Sequence, residues 1–121
     1  MITEDYVSYE VAKLLREKGF NEPCYTCYLN KELSHYDYVS TNFELIENVI
    51  SAPTHQMVMK WLREVYNIVI SIFPTIETDM IVREDYNYTI YKNRTAIYQN
   101  SSLTYEQSSE ESIKYTLENL I

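Results

Sequence analysis

The sequence predicts an α+β fold in which three helices pack on a mainly antiparallel sheet. Three segments place hydrophobic residues at helical spacing, and the segments between them are rich in tyrosine and β-branched residues, which favour strands. In chain order the predicted elements are α-β-β-α-β-β-β-α. Because a chain of 121 residues suits one domain and 45% of the residues are hydrophobic, we expect residues 1–121 to form a single α+β domain.

The first helix has predicted signals at both ends. Ser8 can cap its N-terminus, and Val7 can pack against Ala12 across the first turn. Gly19, the only glycine of the chain, stands where a left-handed residue commonly ends a helix. The apolar stripe between these signals consists of Val11, Leu14 and Leu15.

A hairpin is predicted to follow the first helix. Residues 24–29 favour a strand, residues 30–32 a turn, and residues 33–39 the returning strand. The next stretch, residues 40–51, fits either a short strand or a turn of helix, and the sequence leaves both open.

Ala52-Pro53-Thr54 introduces the second helix, with Thr54 as its cap and Asn67 closing it. Its predicted core-facing stripe is Met57, Val58, Trp61, Leu62 and Val65. Residues 68–73 form a continuous β-branched and apolar run, which predicts an interior strand that ends at Pro74. Residues 74–79 are then expected to form a loop.

A second hairpin is predicted from residues 86–91 and 95–98, joined by a turn at residues 92–94, and residues 80–82 could extend its first strand. The last helix begins at Thr104, with Gln107 in the capping-box position. Its predicted inner face consists of Tyr105, Ser109, Ser112, Ile113, Thr116, Leu117 and Leu120. The small residues Ser109 and Ser112 on this face would allow a close approach to a sheet.

Charge and hydropathy indicate which classes of partner, nucleic acid or membrane, the chain is expected to bind. Ten lysines and arginines stand against 18 acidic residues, for a net charge of −8, and no basic cluster is present, so nucleic acid is not an expected partner. No apolar run approaches the roughly 20 residues of a membrane helix. The first residues also lack the basic and apolar regions of a signal peptide, so we expect a cytoplasmic location.

The residues with chemical potential do not form a recognisable catalytic pattern. Cys24 and Cys27 lie in a predicted strand rather than at a helix start, and no further ligands stand at zinc-site spacing, so we expect buried thiols and no cofactor. His35 and His55 are expected at the surface. A single glycine excludes a Gly-x-Ser-x-Gly elbow, a P-loop and a dinucleotide fingerprint.

Three segments together carry a resemblance: YVSYEVAKLLREKGFNEPC (residues 6–24), SAPTHQMVMKWLREVY (residues 51–66) and TYEQSSEESIKYTLENLI (residues 104–121). The set resembles a family of small uncharacterised proteins found in gut-bacterial genomes, prophages and phages. The resemblance implies an accessory protein that binds a partner, in the host cell cytoplasm if it is phage-encoded. It assigns no catalytic or ligand-binding residue.

The function predicted from these observations is a non-enzymatic protein-interaction module. Its partner would be an unidentified protein or a second copy of the chain, and the edge strand left open by the second hairpin is the expected site of self-association. Thirteen tyrosines suit a half-buried sheet or an interface, and the candidate interaction surface is Tyr86, Tyr88, Tyr91 and Tyr98.

Two alternatives from other classes stay open. One is a small hydrolase or ligand-binding protein whose site lies between hairpin and helices, with His35 or His55 beside carboxylates or a cysteine. The other is an acidic mimic of nucleic acid, which would need carboxylates spaced along one face.

Overall fold

A computed structural model describes residues 2–40, 49–77 and 82–121. Within these ranges the elements are α1 (Tyr9–Glu17), β1 (Cys24–Leu29), β2 (Glu32–Ser40), β3 (Val49–Ser51), α2 (His55–Tyr66), β4 (Ile68–Ile76), β5 (Val82–Lys92), β6 (Thr95–Ser102) and α3 (Tyr105–Asn119). The α+β class and the predicted order are confirmed. The short strand β3 lies in the stretch that the sequence left open, and residues 41–48 of that stretch are outside the described residues.

The chain divides into two compact units, Met1–His55 and Gln56–Ile121. Each unit contains a three-stranded antiparallel sheet, ordered β2-β1-β3 in the first and β4-β5-β6 in the second. The sequence predicted one sheet because alternation indicates which side of a strand is buried but does not say which strands pair. This division does not test whether residues 1–121 form a single domain, and that statement stays a prediction.

Both predicted ends of α1 are confirmed. The Ser8 side chain accepts a hydrogen bond from the Val11 backbone N–H at 3.1 Å. At the other end Gly19 has φ +88°, and the N–H of Phe20 donates to the Leu15 carbonyl at 2.9 Å. This six-to-one bond, with Phe20 and Leu15 both buried, is a Schellman ending that a left-handed residue makes possible.

The first sheet is built around β1. The predicted turn after it is a two-residue loop in which Asn30 and Lys31 both have positive φ, as a type I′ hairpin requires. On its other side β1 pairs with β3. An isolated bridge between Tyr6 and Thr54 places the N-terminal segment beside the start of α2.

Helix α2 has the predicted bounds, and Asn67 follows it at φ +55°. Its predicted stripe was partly wrong. Met57 and Val65 are 36% and 57% exposed, whereas Met59 is buried. Val58, Trp61 and Leu62 of the predicted stripe are buried, and the buried face adds His55 and Met59 in place of Met57 and Val65.

Strand β4 differs from its prediction in position and length. It lies at an end of its sheet rather than in the interior, and it continues through Pro74 to Ile76, where a loop was expected. Alternate residues such as Val69 are exposed, so an apolar run alone did not indicate burial on both faces. An end position tolerates proline, since one backbone edge needs no donor there. Residues 78–81, which include the rest of the predicted loop, lie outside the described residues.

The second sheet supports α3. Strands β5 and β6 form the predicted hairpin, longer than expected at both ends, with Asn93 and Arg94 at positive φ in its turn. Thr104 caps α3 by accepting from the Gln107 N–H at 3.0 Å. The helix packs mainly against β5. Its buried face includes the serines that the sequence indicated, and also Ser108, whose hydroxyl donates to the Tyr86 carbonyl.

Candidate interaction surface

The register of the second sheet separates its two faces. Ile70, Ile90 and Tyr98 are paired across the three strands and therefore share one face. Ring contacts identify this face as the one covered by α3, because Tyr98 stacks on Tyr115 with centroids 3.7 Å apart and Tyr86 meets Tyr105 edge to face at 5.8 Å. The sheet and α3 thus share a cluster of tyrosines.

The four tyrosines of the predicted surface have different environments. Tyr88 is only 2% exposed, which corrects its assignment to a surface: its ring lies in the core beside Tyr98. Burial raises the pKa of Tyr88 to about 12, with smaller contributions from Tyr98 and Glu111. Tyr86, Tyr91 and Tyr98 are half-buried, and their interaction role stays a prediction.

Strand β6 is the most accessible backbone edge of this unit. Among the described residues no strand pairs with its outer side, and six of its eight residues are exposed. Its sequence, TAIYQNSS, contains no charge, no proline and no glycine. An open edge of this kind presents unpaired N–H and C=O groups, which another strand can bind.

The opposite edge, β4, contains a feature that discourages pairing. Pro74 lacks a backbone donor, and this interrupts the hydrogen-bond ladder that an added strand would need. Both edge strands have a register shift with β5: beside β4 the extra residues lie on β5, and in β6 the extra residue is Ile97. Strand β6 contains no proline. Strand β6 is therefore the better acceptor of the two.

The two ends of β6 differ in charge. Its N-terminal end follows the turn at Asn93–Arg94, where Arg94 is exposed, and the neighbouring Lys92 donates to the Leu120 carbonyl at 3.3 Å. Its C-terminal end reaches the first turns of α3, where the Ser102 hydroxyl lies 3.2 Å from a carboxylate oxygen of Glu111. An uncharged strand thus connects a basic end with an acidic one.

An open cleft of about 600 Å³ lies at the acidic end. Its lining residues are Asp85, Ser101, Ser102, Leu103, Gln107, Glu110 and Glu111. Arg83 pairs with Asp85 at 3.1 Å and so neutralises part of the negative charge. Across the described residues, no group of three or more His, Cys, Asp or Glu side chains could hold a metal ion. The carboxylates and hydroxyls that line the cleft give it a negative potential and hydrogen-bond acceptors.

The cysteines are buried reduced thiols, as predicted. The Cys24 thiol lies 3.4 Å from the Glu22 carbonyl oxygen, to which it donates. Burial raises the pKa of Cys24 to about 11, and the negative charge of Glu22 adds to the shift. A thiol with this pKa is a poor nucleophile at neutral pH.

The histidines were both expected at the surface, and this was wrong for His55. His35 is exposed and meets the Tyr6 ring edge to face at 5.7 Å. His55 is only 6% exposed, and its backbone N–H donates to the Asp5 carbonyl oxygen next to the bridge between Tyr6 and Thr54. A single strand-like bridge of this kind leaves no periodic signal in the sequence.

The tyrosines predicted as an interaction surface did not include the charged and polar residues at the β6 edge. Arg94, Gln99 and Glu111 belong to this group. Their signal in the sequence is a run of eleven uncharged residues, 95–105, between Arg94 and Glu106. The sequence predicted an open edge at the second hairpin, and the sheet order places β6 at that edge.

No protein-family model, curated protein or solved structure matches this chain. The helices in the described part of the chain do not reach the length and hydropathy needed to cross a membrane.

Proposed function

We propose that this protein is a non-enzymatic interaction module that binds a protein partner by adding a strand to β6. The observation that carries the proposal is the open, uncharged and largely exposed edge of β6. Strand addition gives affinity through main-chain hydrogen bonds and specificity through alternate side chains. Tyr98 on one face and the polar side chain of Gln99 on the other would supply such contacts.

The rigid support of β6 favours this function. Strand β6 pairs with β5 over its length, and α3 is capped by Thr104 directly after β6 ends. The stacked pair Tyr98–Tyr115 fixes the middle of the strand to the helix. A pre-ordered edge lowers the conformational entropy that binding would otherwise cost.

The biological setting is part of the same proposal. The resemblance to small phage and prophage proteins supports an accessory protein that acts in the host cell cytoplasm. A binding protein of this kind needs no catalytic group.

Site-specific photo-crosslinking in cells that express the chain tests the proposal. A photoreactive phenylalanine analogue replaces Gln99 on β6, and the control replaces Arg63, an exposed residue of α2. We expect a discrete covalent adduct from the Gln99 position alone, with mass spectrometry locating the crosslink in an extended segment of the partner. The purified partner should then bind Gln99→Lys at least tenfold more weakly than wild type, because a charge at a strand edge opposes pairing.

The absence of an adduct at Gln99 would contradict the proposal, and so would identical adducts from both positions. The same experiment reports the identity of the partner by its mass. Any partner protein joined to β6 supports the interaction function, whether or not it is another copy of the chain.

A further inference from the structure

We infer that the strand added to β6 belongs to a second copy of this chain, paired antiparallel about a two-fold axis near Tyr98 and Gln99. This inference rests on the proposed function and names its partner. Pairing of the two β6 strands would join the β4-β5-β6 sheets of the two copies into one continuous sheet of six strands.

Charge complementarity is the first argument for a second copy. In an antiparallel pair, the basic end of each β6 meets the acidic end of the other. Arg94 of one copy would face the region of Ser102 and Glu111 in its partner, and the two-fold axis repeats this contact. The strand between these ends has no charge, so no like charges face each other along its length.

Space for the helices is the second argument. Because α3 packs mainly against β5, the two α3 helices would be separated by three strand spacings, or about 14 Å. Packed helices lie about 8–10 Å apart, so the helices would not collide. Tyr98 lies on the face that α3 covers, stacked on Tyr115. Tyr98 of both copies would therefore lie on the surface of the sheet between the two helices.

The polar composition of β6 is the third argument. Gln99 and Ser101 carry both donors and acceptors in their side chains, so identical strands can satisfy each other's side chains across a two-fold axis. A cationic or anionic peptide would find no charged partner within the strand itself. The edge thus fits a copy of itself better than a strongly charged segment.

Sedimentation velocity on the purified full chain tests this inference. We expect a reversible monomer–dimer equilibrium. Gln99→Lys should raise the dimer Kd at least tenfold, because two lysines would meet near the axis. The conservative Gln99→Thr should stay within about threefold of wild type, since it introduces no charge. Fluorescence of Trp61, the only tryptophan, verifies that each variant is folded.

A charge-swap mixture tests the antiparallel geometry. Arg94→Glu alone and Glu111→Lys alone should each raise the dimer Kd several-fold, because each homodimer then contains two like-charge pairs. An equimolar mixture should recover dimers, since the heterodimer contains one native and one reversed pair. Failure of the mixture to dimerise, with both variants folded, would overturn the antiparallel arrangement.

A wild-type chain that stays monomeric up to about 1 mM, the weak end of specific affinities, would overturn the second-copy inference. So would a dimer that Gln99→Lys leaves unchanged. The second-copy inference can fail while the proposed function stands. If the chain is monomeric but the Gln99 crosslinker captures another protein, strand addition stands and the second copy is excluded.

Discussion

The two units differ in the features that keep their edge strands from pairing with other strands. In the first unit, one edge strand is the three-residue β3, and the other, β2, begins at the charged and exposed Glu32. Short edge strands and charged edge residues both discourage unwanted pairing. In the second unit, both edge strands have a register shift with β5, but only β4 contains a proline.

The difference identifies β6 as the least protected of the four edges in the described residues. Otherwise the two hairpins are closely alike, since the turns Asn30–Lys31 and Asn93–Arg94 have the same pair of φ values, 50° and 69°. The contrast between the units therefore concerns the strand edges rather than the turns. An edge left uncharged in a strongly acidic chain is the physical basis of the proposed function.

The largest stability effect is expected for the central strand of the second sheet. Ile90 is fully buried between β4 and β6, so Ile90→Ala should lower the free energy of unfolding by about 2–5 kcal/mol. Ile97→Ala, on the exposed edge strand, should cost less than about 1 kcal/mol. Urea denaturation followed by Trp61 fluorescence measures both. Equal losses of unfolding free energy in the two variants would contradict the distinction between a buried central strand and an exposed edge strand.

Alkaline pH should destabilise both units, through a different residue in each. Folding raises the pKa of Cys24 from 9.0 to about 11 and that of Tyr88 from 10.0 to about 12, so the unfolded chain releases these protons first. Stability is therefore complete below pH 9, and it falls between pH 9 and 11 for Cys24 and between pH 10 and 12 for Tyr88.

Denaturation midpoints measured from pH 8 to 12 test this prediction. Cys24→Ala should remove the loss that begins near pH 9, and Tyr88→Phe should remove the part that begins near pH 10. Variants whose midpoints fall as steeply as those of wild type would show that these groups are not the ones that titrate.

The smallest effects are expected in the two turns. Lys31 and Arg94 occupy left-handed positions that cost an ordinary residue about 1–2 kcal/mol, and glycine avoids this cost but loses chain entropy. Lys31→Gly and Arg94→Gly should each raise stability by about 0.5–1 kcal/mol. Only Arg94→Gly should also weaken self-association, since Arg94 contributes charge at the β6 edge. Equal dimer affinities in the two variants would argue against that role.

The helices were the most predictable part of the fold. Ser8, Gly19 and Thr104 indicated helix ends, and the structure places each in the expected role, because capping depends on neighbouring residues alone. The register of α2 was less certain, since its hydrophobic residues cover more than one face.

Strand pairing was less predictable because it depends on residues far apart in the chain. Residues 68–73 contain the same apolar run whether they lie inside a sheet or at its end, and only the pairing with β5 settles the position of β4. The candidate site shares this difficulty. The composition of β6 can be read from the sequence, but its accessibility follows from the sheet order.

Intermolecular nuclear Overhauser effects test the central claim most directly. In a mixture of ¹³C,¹⁵N-labelled and unlabelled chain, an isotope-filtered spectrum detects only contacts between copies. We predict contacts that join β6 to β6, centred on Tyr98 and Gln99 and extending from Arg94 to Ser102. Contacts between copies that involve β4 or β2 while β6 shows none would contradict the account.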